Sequence, residues 1–224
     1  MNEYSFRLWH NSIMATTEES AKRTASRTQR RQQLTDATMK CIARKGLGNI
    51  TLGDVAREAG LSQGIVNLHF ESKENLLNET LRSIADDYKS QFDRTLEKSG
   101  PDAASKLHAL MKLDLQPSVI DRRKLAAWFA FWGEVNSRPR YQAVCAESDE
   151  YYYNVLCSLC EELIAEGQYD NVSPAAVATM LISVSNGMWL SSLISPKRFD
   201  RQCATHAVDE YLRSIFPQHF PPGE

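Results

Sequence analysis

Apolar residues fall three and four positions apart along almost the whole chain, and no run of β-branched residues alternates with polar ones as a half-buried strand would. That periodicity predicts an all-α protein, and the start and stop signals divide it into about nine helices. The first runs from about Thr28 to Arg44, turns Leu34, Ala37, Thr38, Cys41 and Ile42 inward, and is stopped by Gly46 and Gly48. Thr51 caps a short second helix, with Asp54 as its capping-box partner, and Gly60 ends it. Ser62 caps a third helix. Ser72 caps a long fourth, whose stripe Leu77, Leu81, Ile84, Tyr88, Phe92, Leu96 continues to Gly100-Pro101. Asp102 and Asp121 cap the next two, the latter helix ending near Asn136 ahead of Pro139. Three more follow: Tyr141 to Glu166, Pro174 to Ile194, and one opened by Asp200 that stops at Pro217.

The formal charge of −2 conceals a division of sign. Residues 22–73 hold ten lysines and arginines against four acids, and from residue 79 onward 15 cations face 20 acids. A basic module is thus followed by an acidic one. The expected organisation is a flexible extension over residues 1–25, a DNA-binding domain over 26–73, a ligand-binding and dimerisation domain over 74–217, and a tail over 218–224. Five cysteines, an odd and scattered set with no secretory apolar run ahead of them, point to a reducing cytoplasm. Cys157 and Cys160 form a lone C-x-x-C on a predicted helix, where a core or interface role is set against redox sensing. Lys45-Gly46-Leu47-Gly48 lacks the strand and further glycine of a nucleotide loop and reads as a turn. No catalytic set stands out among the five histidines, and no metal or cofactor is expected.

The segment Leu52 to Phe70 has the form helix, tight turn, helix. Gly60 supplies the left-handed residue that redirects the chain, Ala56 permits close approach, and Val55, Ala59, Leu61 and Val66 fill the space between the helices. Such a unit is either a helical hairpin with a solvated basic face or a DNA reader. As a reader, it lays the helix from Gln63 to His69 in the major groove. Gln63 and Asn67, one turn apart, suit bidentate pairing with adenine, and Gly64 lets the backbone come close. Thr51, Ser62, His69 and Lys73, with Arg27, Arg30 and Arg31, are placed to hold phosphates.

The stretch from Ile50 to Leu77, ITLGDVAREAGLSQGIVNLHFESKENLL, resembles the signature of TetR-type regulators. The resemblance implies a three-helix DNA-binding domain, a long fourth helix leading to a ligand domain, and a homodimer formed by the last two helices. The chain departs from the family pattern at Asn67 and His69, where tyrosine is common.

The helix after Asp121 gathers Leu125, Trp128, Phe129, Trp132 and Val135 on one face. Two indoles one turn apart are either core or a binding wall, and tryptophan faces attract quaternary ammonium groups. The segments Lys124 to Trp132, Ser185 to Leu190 and Phe199 to Arg201 are similar to BetI-like repressors, which implies control of choline-to-betaine genes and a response to choline. The expected cage is Trp128, Trp132, Tyr152 and Trp189, with Glu134 balancing the charge. A regulator with another apolar or cationic effector, and a helical enzyme or redox-sensing interaction protein, remain as alternatives. Residues 174–195 carry no charge, yet Thr179, Ser183, Ser185, Asn186, Ser191 and Ser192 make them too polar for a lipid-facing span. Burial between the helix's own domain and a partner subunit accounts for them better.

Overall fold

The computed structural model describes residues 26–221, which form nine helices and no strand. The proposed extension over 1–25 and the last residues of the tail lie outside the described residues. The helices are α1 (described over residues 26–45), α2 (Leu52–Ala59), α3 (Gln63–Phe70), α4 (Lys73–Lys98), α5 (Ala103–Leu113), α6 (Arg122–Trp132), α7 (Pro139–Gly167), α8 (Pro174–Ile194) and α9 (Arg201–Ile215).

The local signals act as their chemistry dictates. Ser72, Asp102, Asp121, Ser173 and Asp200 each accept backbone N–H bonds at the start of their helices, satisfying donors that a helix start leaves free. Two expectations need correction. Ser62 occupies the N-cap position of α3, but its hydroxyl makes no capping bond. Pro139 is the first residue of α7 rather than a marker beyond α6, because its missing N–H is no loss in a first turn. Accordingly α6 ends at Trp132, and turns carry the chain through residues 133–137.

Two clusters form the core. The first joins α1, α2, α3 and the start of α4, and it also takes in Ala127 and Phe131 from α6 and Tyr141 and Val144 from α7. Phe131 is fully buried, with its ring edge-on to Tyr141 at 5.0 Å between centroids. The second cluster gathers Phe92 with α5, α7, α8 and α9. The helix-turn-helix is therefore rooted in the body rather than hung from a linker.

Helix α8 is long and apolar enough to cross a bilayer by length and composition. Here it packs on α6 and α7 and buries Val177, Leu181, Ser185, Trp189 and Ser192. Met180, Leu190 and Ile194 on the same helix stay exposed.

Candidate DNA-reading head and effector cavity

At the head, Thr51 Oγ1 accepts from Asp54 N–H and Asp54 Oδ2 accepts from Thr51 N–H, both at 3.1 Å, so each satisfies the other's orphan donor. Lys45 Nζ donates to the same carboxylate at 2.6 Å and Arg57 at 3.3 Å. The Lys45 hydrogen bond, followed by those from Thr51, holds the Asp54 carboxyl far below the usual carboxylate range. Gly60 then turns the chain at φ +67°, in the left-handed region where glycine carries no steric cost. These constraints fix where α3 points. It buries Val66 and Phe70 and turns Gln63, Gly64, Asn67 and Leu68 to solvent.

The proposed phosphate ligands divide into free and committed groups. Arg27 is exposed, and Arg30 reaches Gln33 Oε1 at 2.6 Å. Arg31 lies over the Phe70 ring at 4.6 Å, donates to His69 O at 2.7 Å and pairs with Glu79 at 3.0 Å, so it braces α3 against α1 and α4. Besides its cap, the Thr51 hydroxyl donates to Asp54 Oδ2 at 2.9 Å. Lys73 Nζ holds Gly48 O at 3.1 Å. Ser62 is exposed. Desolvation, then Arg27, Arg31 and Arg30, lower the pKa of His69, and its Nδ1 is buried without a partner among the described residues. The lowered pKa favours the neutral imidazole in the free protein.

In the body, a cavity of about 90 Å³ opens between α4, α5, α6, α7 and α8, and Trp128, Trp132, Tyr152 and Trp189 all line it. Trp128 and Trp132 stand 5.8 Å apart. Tyr88, also in the wall, meets Tyr152 edge-on at 5.0 Å and Trp189 at 5.2 Å. Glu134 lies outside the wall and turns instead to Ser137 at 3.2 Å. The buried carboxylate of the cavity is Asp114, at the C-terminal end of α5.

Tyr88 Oη donates to Asp114 Oδ1, and Ser185 Oγ donates to Oδ2 at 2.5 Å. Trp189 Nε1 donates to the Asp114 carbonyl at 2.9 Å. Burial pushes the Asp114 carboxyl up to about 6 even though both hydroxyl bonds pull it down. Above that value the carboxylate form prevails, and among the described residues no cation pairs with it in this wall of aromatic rings. Lys124, at the margin, is already paired with Asp87 at 2.7 Å.

Comparison with known proteins matches the two regions separately. Residues 34–80 fit the family of bacterial regulatory proteins, tetR family, and residues 103–217 fit the BetI-type transcriptional repressor C-terminal family. The chain belongs to the BetI-type repressors of the TetR family. Among relatives, the HTH-type transcriptional regulator BetI of Paraburkholderia xenovorans is 28% identical over 183 residues, covering 82% of this chain and 91% of that one. BetI of Serratia proteamaculans is 27% identical over 198 residues, with 86% and 96% covered. In fold, the chain is similar to a transcriptional regulator from Pseudomonas aeruginosa PAO1 (TM-score 0.76, 24% identity, 86% and 94% covered). It is also similar to one from Saccharomonospora viridis solved in complex with choline (TM-score 0.72, 22% identity, 83% and 96% covered).

Within this BetI-type repressor, Asp114 and Tyr88 are two of the cavity residues that sequence reasoning missed. Tyr88 sits in the apolar stripe of α4 and passes for core. Asp114 left one trace, a lone acid between two leucines, Leu113 and Leu115. The C-x-x-C thiols are free, and burial raises Cys160 to about 12, which keeps it protonated at neutral pH.

Proposed function

We propose that this repressor binds a near-palindromic operator as a homodimer and that choline, or a related quaternary ammonium compound, releases it to express choline-to-betaine genes in the cytoplasm. Gln63, Gly64 and Asn67 face base edges, while Arg27, Arg30 and Lys73 stand on phosphates. The exposed strip Met180, Leu190, Ile194 on α8, together with α9, forms the two-fold contact.

One observation carries the effector reading: a cavity walled by Trp128, Trp132, Tyr152, Tyr88 and Trp189 with an unneutralised carboxylate, Asp114, buried in it. Aromatic faces stabilise a methylated ammonium without hydrogen bonds, and the carboxylate balances its charge. The choline complex of the similar Saccharomonospora viridis regulator supports the same chemistry. The signal reaches the head through α6, where Trp128 and Trp132 border the cavity while Ala127 and Phe131 belong to the core under the helix-turn-helix. A ligand that favours one position of α6 shifts operator affinity by its differential affinity for the two states, and about 1–3 kcal/mol suffices.

Choline added to the full-length protein is expected to alter tryptophan fluorescence and weaken operator binding. Trp132→Ala should abolish both responses while leaving the far-UV circular dichroism intact. The uncharged isostere 3,3-dimethylbutan-1-ol separates a cation site from an apolar one. If it acts as well as choline, or if choline and betaine aldehyde are both silent at millimolar concentration, the quaternary-ammonium reading fails and the repressor assignment stands.

A further inference from the structure

Leu68 is 74% exposed, the most exposed large apolar side chain among the described residues. The other three, Met180, Leu190 and Ile194, all lie on α8. Leu68 belongs to neither core cluster, so packing among the described residues does not account for it. Its place on α3 is informative. At 100° per residue, Gln63, Gly64, Asn67 and Leu68 lie within about 140° of the helix circumference, and all four are exposed. An apolar side chain therefore stands on the same face as the proposed base-contacting amides.

Gly64, one turn before Leu68, gives a second and independent observation. Its φ is not positive, so no left-handed conformation requires glycine. A Cβ added there meets nothing closer than Ser62 Oγ at 3.8 Å, an ordinary contact. Glycine loses more backbone freedom on ordering than alanine does, and neither conformation nor packing among the described residues compensates. The bare backbone at 64 and the leucine at 68 are i, i+4 neighbours, so together they make a shallow apolar notch, open on one side. The surroundings restrict what can fill it. Arg27 shares a surface hollow with His69 and Phe70 of this helix, Lys73 follows three residues after its end, and the basic head calls for a polyanion rather than an apolar protein surface. In a major groove, the apolar feature of a base edge is the C5-methyl group of thymine.

We infer that Leu68 is a specificity residue that packs on a thymine methyl at one position of each operator half-site, with Gly64 letting the helix backbone approach closely enough for the contact. The inference rests on α3 being the base-reading helix. It adds a reading by shape and apolarity to the hydrogen-bonding pattern assigned to Gln63 and Asn67. Desolvating one methyl group against a leucine corresponds to about fourfold in affinity.

The test begins by selecting bound sequences from a random duplex pool with the full-length protein, then replaces each thymine of one half-site by deoxyuridine, which removes only the methyl. Wild type should lose about fourfold at one position and little elsewhere. Leu68→Ala should bind thymine and uracil operators equally, and Leu68→Met should keep the discrimination. Because the side chain is exposed, both variants should melt close to wild type and keep its affinity for random duplex. A selected site at which wild type ignores every uracil overturns the contact. So does a uracil penalty that survives undiminished in Leu68→Ala. If selection yields no common sequence at all, the base-reading role of α3 itself fails.

Discussion

Replacing Asp114 by asparagine is expected to stabilise the protein at neutral and alkaline pH, with the gain vanishing in acid. The carboxyl is 6% exposed and is pushed up to about 6 from an ordinary value of 3.8. Between those two values the folded state holds a proton that the unfolded state has released. Stability therefore falls as pH rises from about 4 to about 6 and levels off above. A difference of about two pH units at about 1.4 kcal/mol each makes ionised Asp114 a cost of about 3 kcal/mol at pH 8. Asparagine imitates the protonated acid: its Oδ1 accepts from Tyr88 and its Nδ2 donates to Ser185 Oγ, replacing the two bonds present now. For a chain of this size the gain corresponds to roughly 6–12 °C in Tm. Thermal melts of both proteins at pH 8 and pH 3.5, at one fixed protein concentration because dimerisation feeds into Tm, provide the check. Asp114→Asn should also lose affinity for choline, so stability and effector binding move in opposite directions. A variant no more stable than wild type at pH 8, or one whose advantage persists unchanged at pH 3.5, refutes the argument that burial dominates this carboxyl.

Thr51→Ala removes the hydroxyl that receives the Asp54 N–H and should cost about 1–2 kcal/mol in urea unfolding. Phe131→Ala empties a fully buried ring site between α6 and the head and should cost about 3–5 kcal/mol, with Phe131→Leu much milder. Leu190→Glu places a charge on the exposed strip of α8 and is expected to shift sedimentation from dimer to monomer at micromolar concentration while the helical signal is retained.

What could be read from the sequence was whatever the chain arranges locally. Thr51 with Asp54, Ser72, Asp102, Asp121 and Asp200 cap their helices within three residues, so their roles are written in adjacent letters. Ser62 has the right letter but an unused hydroxyl, and nothing in the sequence distinguishes it from Ser72. The aromatic face of α6 was visible because its spacing is helical, yet that same view hid Phe131, which leaves the face to pack under the head. Asp114 was missed because its partners Tyr88 and Ser185 lie 26 and 71 residues away. Glu134 is the acid closest to Trp132 along the chain, but that proximity does not carry into the cavity because α6 ends at Trp132.

The burial of Phe131, Tyr141 and Val144 in one core with α1, α2 and α3 bears on how this repressor can be recombined with its relatives. A chimera joined at residue 73 would give a foreign head a seat shaped for the original, with the Phe131 and Tyr141 rings meeting side chains they were not fitted to. Exchanging the α6–α7 junction along with the head keeps that seat matched, but Trp128 and Trp132 travel on the same helix. A new operator preference acquired by grafting would then bring part of the donor's effector preference with it.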